Sequence, residues 1–172
     1  MKRWLPQLGL VVGLLIAGYA FFFSTSEEAR VRELLDRLEA AVAVSEEDTN
    51  ALMFLSFVRK EFAEIFAPDV SYGIAELSMG SPGRAGLAEL AAAGPRVFST
   101  AKLDLDGLEL TLDESKEHAL GVGTAVLDGT RRGGTPERIA REASISLDLV
   151  DGDWRIVSVS VAAPEESAVE PK

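Results

Sequence analysis

The stretch IAREASISLDLVDGDWRIVSVSV, residues 139–161, contains two runs of alternating apolar and polar residues on either side of the DGD at 151–153. Alternation with a period of two is typical of β-strands that bury one face. An Asp-Gly pair between two such runs favours a tight hairpin turn. The sequence therefore predicts strands over 139–150 and 154–161, joined by a short turn.

The same period of two extends upstream of this hairpin. Residues 97–112 and 117–127 alternate in the same way, and turn-forming residues separate them at 113–116 and again at 128–136. Consecutive strands joined by short turns pair as antiparallel neighbours. The second half of the chain is therefore predicted to form a four-stranded meander.

The first half of the domain has helical periodicity instead. Thr25 followed by Glu28 matches a capping box, which predicts a helix start. Apolar residues then recur at the 3.6-residue spacing of two helices. In the second helix the positions expected to face inward are Leu52, Leu55, Val58, Phe62, Ile65 and Phe66. A short strand over 70–77 and a third helix over 84–93 are expected before the meander.

The N-terminus contains an uncharged apolar run, LGLVVGLLIAGYAFFF, over residues 8–23. Extended back to Trp4 it spans about 30 Å as a helix, the thickness of a bilayer core. Lys2 and Arg3 precede it, so the positive-inside rule places the N-terminus in the cytoplasm. We expect residues 4–23 to bind the lipid bilayer as a single-pass anchor. A signal peptide cleaved near Ala20 or Ser26 is the alternative.

The predicted organisation has three parts. Residues 1–23 form the transmembrane signal anchor, residues 24–162 the exported domain, and residues 163–172 a disordered acidic tail. The domain is expected to be α+β, with three helices packed on one face of a curved, four- to five-stranded antiparallel sheet. It is expected on the periplasmic or extracytoplasmic side of a bacterial inner (cell) membrane.

Composition excludes several classes of function. All 28 acidic residues follow the apolar run, and the net charge is −11, so nucleic acid is a poor partner. Cysteine is absent and His118 is the single histidine, which removes thiolate sites and histidine pairs for metal binding. We expect no metal and no cofactor.

Few residues offer acid–base or nucleophilic chemistry. An isomerase of the ketosteroid type needs a carboxylate base in an apolar pocket and a phenol or protonated acid nearby. The available groups are Asp69, Tyr72, Asp104 and Glu142. The serines in the last two strands have no neighbouring base or nucleophile elbow, so they are expected on the solvent face of the sheet. No catalytic residue is predicted.

Tyr72, His118 and Trp154 are the candidates for lining a ligand pocket. His118 is expected at a strand end near the turn at 113–116, and the inward position that its strand parity with Leu120 and Val122 would allow is the alternative. Trp154 either anchors the core or stacks on a ligand. Tyr72 is expected to be a half-buried packing residue or a pocket residue.

Arg131 and Arg132, beside Gly133 and Gly134, belong to the basic cluster of this acidic domain. They are candidates for docking an acidic partner, with solvated turn charges as the alternative.

Three segments resemble the nuclear transport factor 2-like superfamily, also called SnoaL-like. They are FAEIFAPDVSYGI at 62–74, GRAGLAEL at 83–90 and DGDWRIVSVSV at 151–161, and the resemblance covers residues 27–162. It implies a cone-shaped domain whose curved sheet wraps the helices and leaves a pocket at the wide end. Members include isomerases, dehydratases, ligand binders and structural assembly domains, so the resemblance implies no particular reaction.

The expected function is a non-catalytic, membrane-anchored interaction or assembly domain of an envelope complex. Its partner is expected to be another protein or a second copy of the chain. A SnoaL-type pocket domain that binds a small apolar ligand, or acts as an isomerase or dehydratase, is the alternative.

Overall fold

The computed structural model describes residues 26–48, 50–74 and 83–163. The predicted anchor and most of the predicted tail lie outside the described residues. Within the described part, no helix combines the length and apolar character that a membrane span requires. In chain order the elements are α1 (Glu27–Val42), α2 (Ala51–Ile65), β1 (Phe66–Ile74), α3 (Gly83–Ala92), α4 (Gly94–Val97), β2 (Phe98–Leu112), β3 (His118–Arg131), β4 (Pro136–Val150) and β5 (Asp153–Val161).

The sheet has five strands in the order β1-β5-β4-β3-β2. Strands β2 to β5 form the predicted antiparallel meander, but β1 pairs with β5 in parallel, so the sheet is mixed and not wholly antiparallel. The position of α2 explains the difference. Glu64 at its end lies 3.6 Å from Arg155 at the start of β5, and Phe66 pairs with Ile156. Because β1 follows without a turn, it starts beside the start of β5 and runs in the same direction.

The N-cap of helix α1 lies one residue after the predicted cap, Thr25. Ser26 is the N-cap, and its hydroxyl accepts a 3.1 Å hydrogen bond from the Ala29 amide, while Thr25 lies outside the described residues. One face of the helix then packs on the sheet through Val31, Leu34, Leu35, Leu38 and Ala41. Each fully buried aliphatic side chain of this kind stabilises the fold by about 1.5–3 kcal/mol.

Helix α2 buries a different stripe from the predicted one. The Asn50 side chain caps its start by accepting from the amides of Leu52 and Met53. The buried residues are Phe54, Val58, Phe62 and Ile65. Leu52, expected inside, is 79% exposed, and Leu55 is half-buried. The prediction was wrong for the first turn because this segment carries apolar residues on more than one face.

Strand β2 contains a bulge between Asp104 and Gly107, where its pairing with β3 shifts. The two backbones approach closely there. A Cβ added to Gly123, whose φ is 156°, would lie 2.2 Å from the Gly107 carbonyl oxygen. A Cβ added to Gly107 would lie 2.7 Å from the Thr124 carbonyl oxygen. Glycine is therefore a steric requirement at both positions.

Candidate functional site

The three predicted pocket residues do not share one site. Trp154 is 3% exposed and lies on the inner face of β5, against the helices. Tyr72 is half-buried on the same face of the sheet, but it pairs with Val159, about 16 Å along β5 from Trp154. His118 is exposed at the start of β3 and faces outward together with Leu120 and Val122. His118 therefore occupies the strand-end position that the sequence favoured, and it does not have the inward orientation that its parity with Leu120 and Val122 allowed.

Trp154 belongs to a hydrogen-bonded cluster that joins α1 to the last hairpin. Its indole N–H donates to Glu27 Oε2 at 2.8 Å, and Arg30 forms a 2.9 Å ion pair with the same oxygen. Arg30 also donates to the Gly152 carbonyl oxygen at 2.6 Å. The bond from Trp154, followed by the bonds from Arg30, lowers the pKa of the Glu27 carboxyl. These contacts hold the start of α1 against the turn between β4 and β5.

A concavity of about 210 Å³ lies beside this cluster and is lined largely by charged side chains. Arg37 pairs with Glu61 at 3.1 Å, and Arg155 lies 3.6 Å from Glu64. The cations that line it are therefore neutralised by carboxylates of the domain itself.

Arg131 and Arg132 contact the body of the domain. Arg131 forms an ion pair with Glu137 and lies 5.8 Å from the centroid of the Phe98 ring. The Arg132 guanidinium donates to the Pro95 carbonyl oxygen at 2.6 Å. Both side chains stay exposed, so a role in docking a partner stays a prediction.

The residues considered for acid–base chemistry lie apart. Tyr72 is on β1 and Asp104 on β2, which are the two outermost strands of the sheet. Asp69 is exposed, and Glu142 is exposed on the outer face of β4. Tyr72 and Asp104 therefore lie at opposite edges of the sheet, and Glu142 lies on the face opposite to that of Tyr72.

Glu39, Asp104 and Asp106 form an acidic cluster that the sequence did not reveal. Their oxygens lie within 4.8 Å of one another beside β2, an outermost strand of the sheet. Burial raises the pKa of Glu39, although its carboxylate accepts a 2.5 Å hydrogen bond from the Leu105 amide. Asp104 accepts from the Asp106 amide at 3.0 Å. Both bonds satisfy backbone groups of the bulge, which accounts for the cluster structurally.

Helix α2 presents an apolar surface that we call the α2 patch, formed by Leu52, Met53 and Phe57. Their exposed fractions are 79%, 71% and 47%. The patch borders a concavity of about 320 Å³ between α2 and α3, which is also lined by Leu55, Arg59, Glu89, Ala92 and Arg96. Exposed apolar residues grouped in this way mark interaction surfaces more often than isolated ones do.

The serines of the last two strands lie on the outer face of the sheet, as predicted. Ser144 pairs with Ser160, and Ser146 pairs with Ser158. On the next strand Leu120 and Val122 stand beside Ser146 and Ser144. Their exposed fractions are 44% and 50%. The part of the outer face formed by these four serines, Leu120 and Val122 is therefore uncharged and partly apolar.

The exposed pair of His118 and Asp148 makes the domain sensitive to pH. His118 Nδ1 lies 2.8 Å from Asp148 Oδ1, and this hydrogen bond raises the pKa of the imidazole. A raised pKa in the folded state stabilises the fold below the ordinary histidine value of about 6.5. The contribution is lost as the pH rises through the raised value.

We expect wild type to be more stable than Asp148→Asn at about pH 6, with the difference vanishing near about pH 9. Urea unfolding at a series of pH values measures the difference. NMR titration of His118, the single histidine, measures its pKa directly. Equal His118 pKa values in the two proteins would contradict the assignment.

Comparison with known proteins identifies solved structures that have the same fold. No family model and no curated protein matches the chain. A nuclear transport factor 2-like superfamily protein from Salmonella enterica superposes with a TM-score of 0.62 at 18% identity, over 85% of this chain and 96% of that one. A protein from Xanthomonas campestris, described as a calcium/calmodulin-dependent protein kinase II association domain, also superposes with a TM-score of 0.62. The sequence identity is 17%, and the match covers 83% of this chain and 92% of that one.

An enzyme also superposes on the chain. The hexachlorocyclohexane dehydrochlorinase LinA-type3 from Novosphingobium barchaimii gives a TM-score of 0.60 at 15% identity, over 80% of this chain and 86% of that one. These similarities show that the described domain has the nuclear transport factor 2-like fold.

Proposed function

We propose that this nuclear transport factor 2-like domain is a non-catalytic interaction module. In this proposal residues 4–23 anchor it in the inner membrane, and the α2 patch binds a protein of the same envelope complex. The exposure of Leu52, Met53 and Phe57 within two turns of one helix carries the proposal. Exposing three large apolar side chains has no benefit for the isolated domain, whereas burying them against a partner is favourable.

The chemistry of the interior supports a non-catalytic role. Within residues 26–48, 50–74 and 83–163, no polar or charged residue is buried as a whole, although the Nε atom of Arg141 on β4 is buried. General acid–base catalysis on an apolar substrate depends on a titratable group that an apolar pocket holds at a shifted pKa. The carboxylate with a raised pKa in this part of the chain, Glu39, is engaged with the β2 backbone.

The lining of the adjacent concavity suggests the chemistry of the partner. Arg59 and Glu89 form a 3.5 Å ion pair across it, and both side chains are more than half exposed. Arg96 also lines this concavity. A partner segment that inserts apolar side chains beside Leu52 and places an acidic residue near Arg96 would fit this surface.

The experiment is affinity capture of the full-length chain from membranes in mild detergent. We expect replacement of Leu52, Met53 and Phe57 by serine to reduce the captured partner by more than about tenfold, since apolar contacts at the centre of an interface each contribute more than about 1 kcal/mol. The matched control is Leu120→Ser with Val122→Ser, which removes apolar surface from the sheet instead. Equal recovery of the partner by the α2 variant would refute the proposal.

A SnoaL-type pocket domain is the second candidate. The superposition with a dehydrochlorinase favours it, as does the half-buried position of Tyr72 on the inner face of the sheet. A panel of small apolar ligands, titrated against the full-length chain and followed calorimetrically, tests it. Tight binding that weakens in Tyr72→Ala but persists in the α2 variant would favour this candidate over the interaction module.

A further inference from the structure

The hairpin between β3 and β4 is held against helix α4 by an arginine. The Arg132 amide donates to the Val97 carbonyl oxygen at 2.9 Å, and the Arg132 guanidinium donates through Nε to the Pro95 carbonyl oxygen at 2.6 Å. Arg96 lies between these two acceptors in the chain, and its side chain is exposed. We infer that Arg96, Val97 and Arg132, which we call the arginine surface, bind a short acidic segment of the partner protein.

The two arginines of this surface keep their positive charge. In the parts of the chain that the structure describes, neither guanidinium forms an ion pair, whereas the neighbouring Arg131 is paired with Glu137. Arg132 is fixed through Nε by a carbonyl oxygen, so its two terminal NH2 groups can still donate together to one carboxylate. A chain with net charge −11 therefore has two uncompensated cations at neighbouring positions.

The arginine surface continues the interface of the proposed function. Arg96 lines the same concavity as Leu52 of the α2 patch, and Val97, the next residue, is 44% exposed. One partner segment can therefore place apolar side chains on the α2 patch and carboxylates on Arg96 and Arg132. The inference rests on the proposed function, to which it adds a charge requirement and a class of partner.

The position of the arginine surface favours a protein over bilayer lipid. Strand β4 extends about 45 Å from Pro136, beside the hairpin, to Val150. The start of α1 contacts the turn that follows Val150, where Arg30 donates to the Gly152 carbonyl oxygen. In the proposed topology the chain leaves the membrane at this end of β4. The arginine surface is then remote from the lipid headgroups.

The charge of the whole domain favours a short acidic segment. A long polyanion such as nucleic acid would extend past the two arginines and meet a strongly acidic surface. A protein segment with a few carboxylates and adjacent apolar side chains avoids that repulsion. It also gains contacts with Val97 and with the α2 patch.

A labelled peptide tests the charge requirement. The probe is fluorescein-labelled Leu-Glu-Glu-Leu-Glu, compared with the peptide in which glutamine replaces each glutamate. Binding to the full-length chain in mild detergent is followed by fluorescence anisotropy at low salt, where exposed charges are least screened. We expect the glutamate peptide to bind more than about tenfold more tightly, and this preference to disappear when Arg96→Gln and Arg132→Gln are combined.

The matched control removes two exposed cations elsewhere. Lys60→Gln combined with Lys116→Gln changes the net charge equally and should keep the preference. Arg96→Gln alone should weaken the preference without changing urea unfolding, since this side chain has no ion pair to lose among the described residues. A preference that survives in both arginine variants, or that falls equally in the lysine control, would overturn the inference.

Capture of the membrane partner separates this inference from the proposed function. We expect the double arginine variant and the α2 variant both to lose the partner. Loss in the α2 variant alone would overturn the inference and leave the proposed function standing. Loss in the arginine variant alone would refute the role of the α2 patch and support the arginine surface. Recovery of the partner by both variants would overturn both proposals.

Discussion

Gly123→Ala is expected to lower the free energy of unfolding by more than about 3 kcal/mol, a large part of the stability of a domain. The added Cβ would lie 2.2 Å from the Gly107 carbonyl oxygen, and its next contact is the carbonyl carbon of the same residue at 3.1 Å. Both atoms belong to the backbone of the β2 bulge. A flexible side chain could move aside, but this backbone is held by pairing with β3 on either side of the bulge.

Urea unfolding followed by far-ultraviolet circular dichroism measures the effect. Gly73→Ala is the matched control, because a Cβ at that strand glycine meets nothing within 4 Å. We expect the control to change stability by less than about 1 kcal/mol. A Gly123→Ala protein as stable as Gly73→Ala would show that the bulge does not bring the two backbones so close.

Trp154→Ala is expected to cost about 3–5 kcal/mol, because it removes a large side chain that is 3% exposed and leaves a cavity under α1. It also leaves Glu27 without its indole donor. Trp154→Phe keeps most of the buried ring but not the N–H, so it should cost about 1–2 kcal/mol through the lost hydrogen bond to a carboxylate.

The same unfolding measurements, made with both variants, separate packing from hydrogen bonding. Removing the Glu27 side chain should cost less stability in the Trp154→Phe background than in wild type, since the bond between the two residues is already lost there and the ion pair with Arg30 is what remains. A loss below about 1 kcal/mol in Trp154→Ala would contradict its role as a core residue.

The meander was predictable from sequence, whereas the partner of β1 was not. Alternation and the DGD turn are local signals, and they determine the pairing of β2 to β5. The parallel pairing of β1 depends on where α2 ends relative to β5, and that position follows from packing of the helices on the sheet. The order of helices and strands along the chain does not specify where α2 ends relative to β5.

The inward face of β3 was assigned to the wrong residues for a physical reason. Sequence patterns favour burying the larger apolar residues, here Leu120 and Val122. The structure instead buries Ala119 and Gly121, since a Cβ on Gly121 would already lie 3.1 Å from a Leu110 methyl group. Small residues are needed where β2 packs so closely. The larger side chains are left on the outer face.

The candidate surfaces were harder to predict than the fold. Leu52 was expected in the core because it fits a helical stripe. In the structure Phe54 occupies the buried position instead, and Leu52 is exposed. The serine positions were predicted on the outer face, but the exposure of Leu120 and Val122 beside them was not. Binding surfaces of this kind need no particular residue type, so the sequence offers no motif for them.

The bond between Trp154 and Glu27 joins residues 127 positions apart in the chain. Synthesis therefore produces α1 long before the strand that completes its packing, and β1 must likewise wait for β5. Contacts of such long sequence separation slow folding and favour closure as a late step. The nascent domain is therefore expected to close only after its last hairpin has emerged from the ribosome.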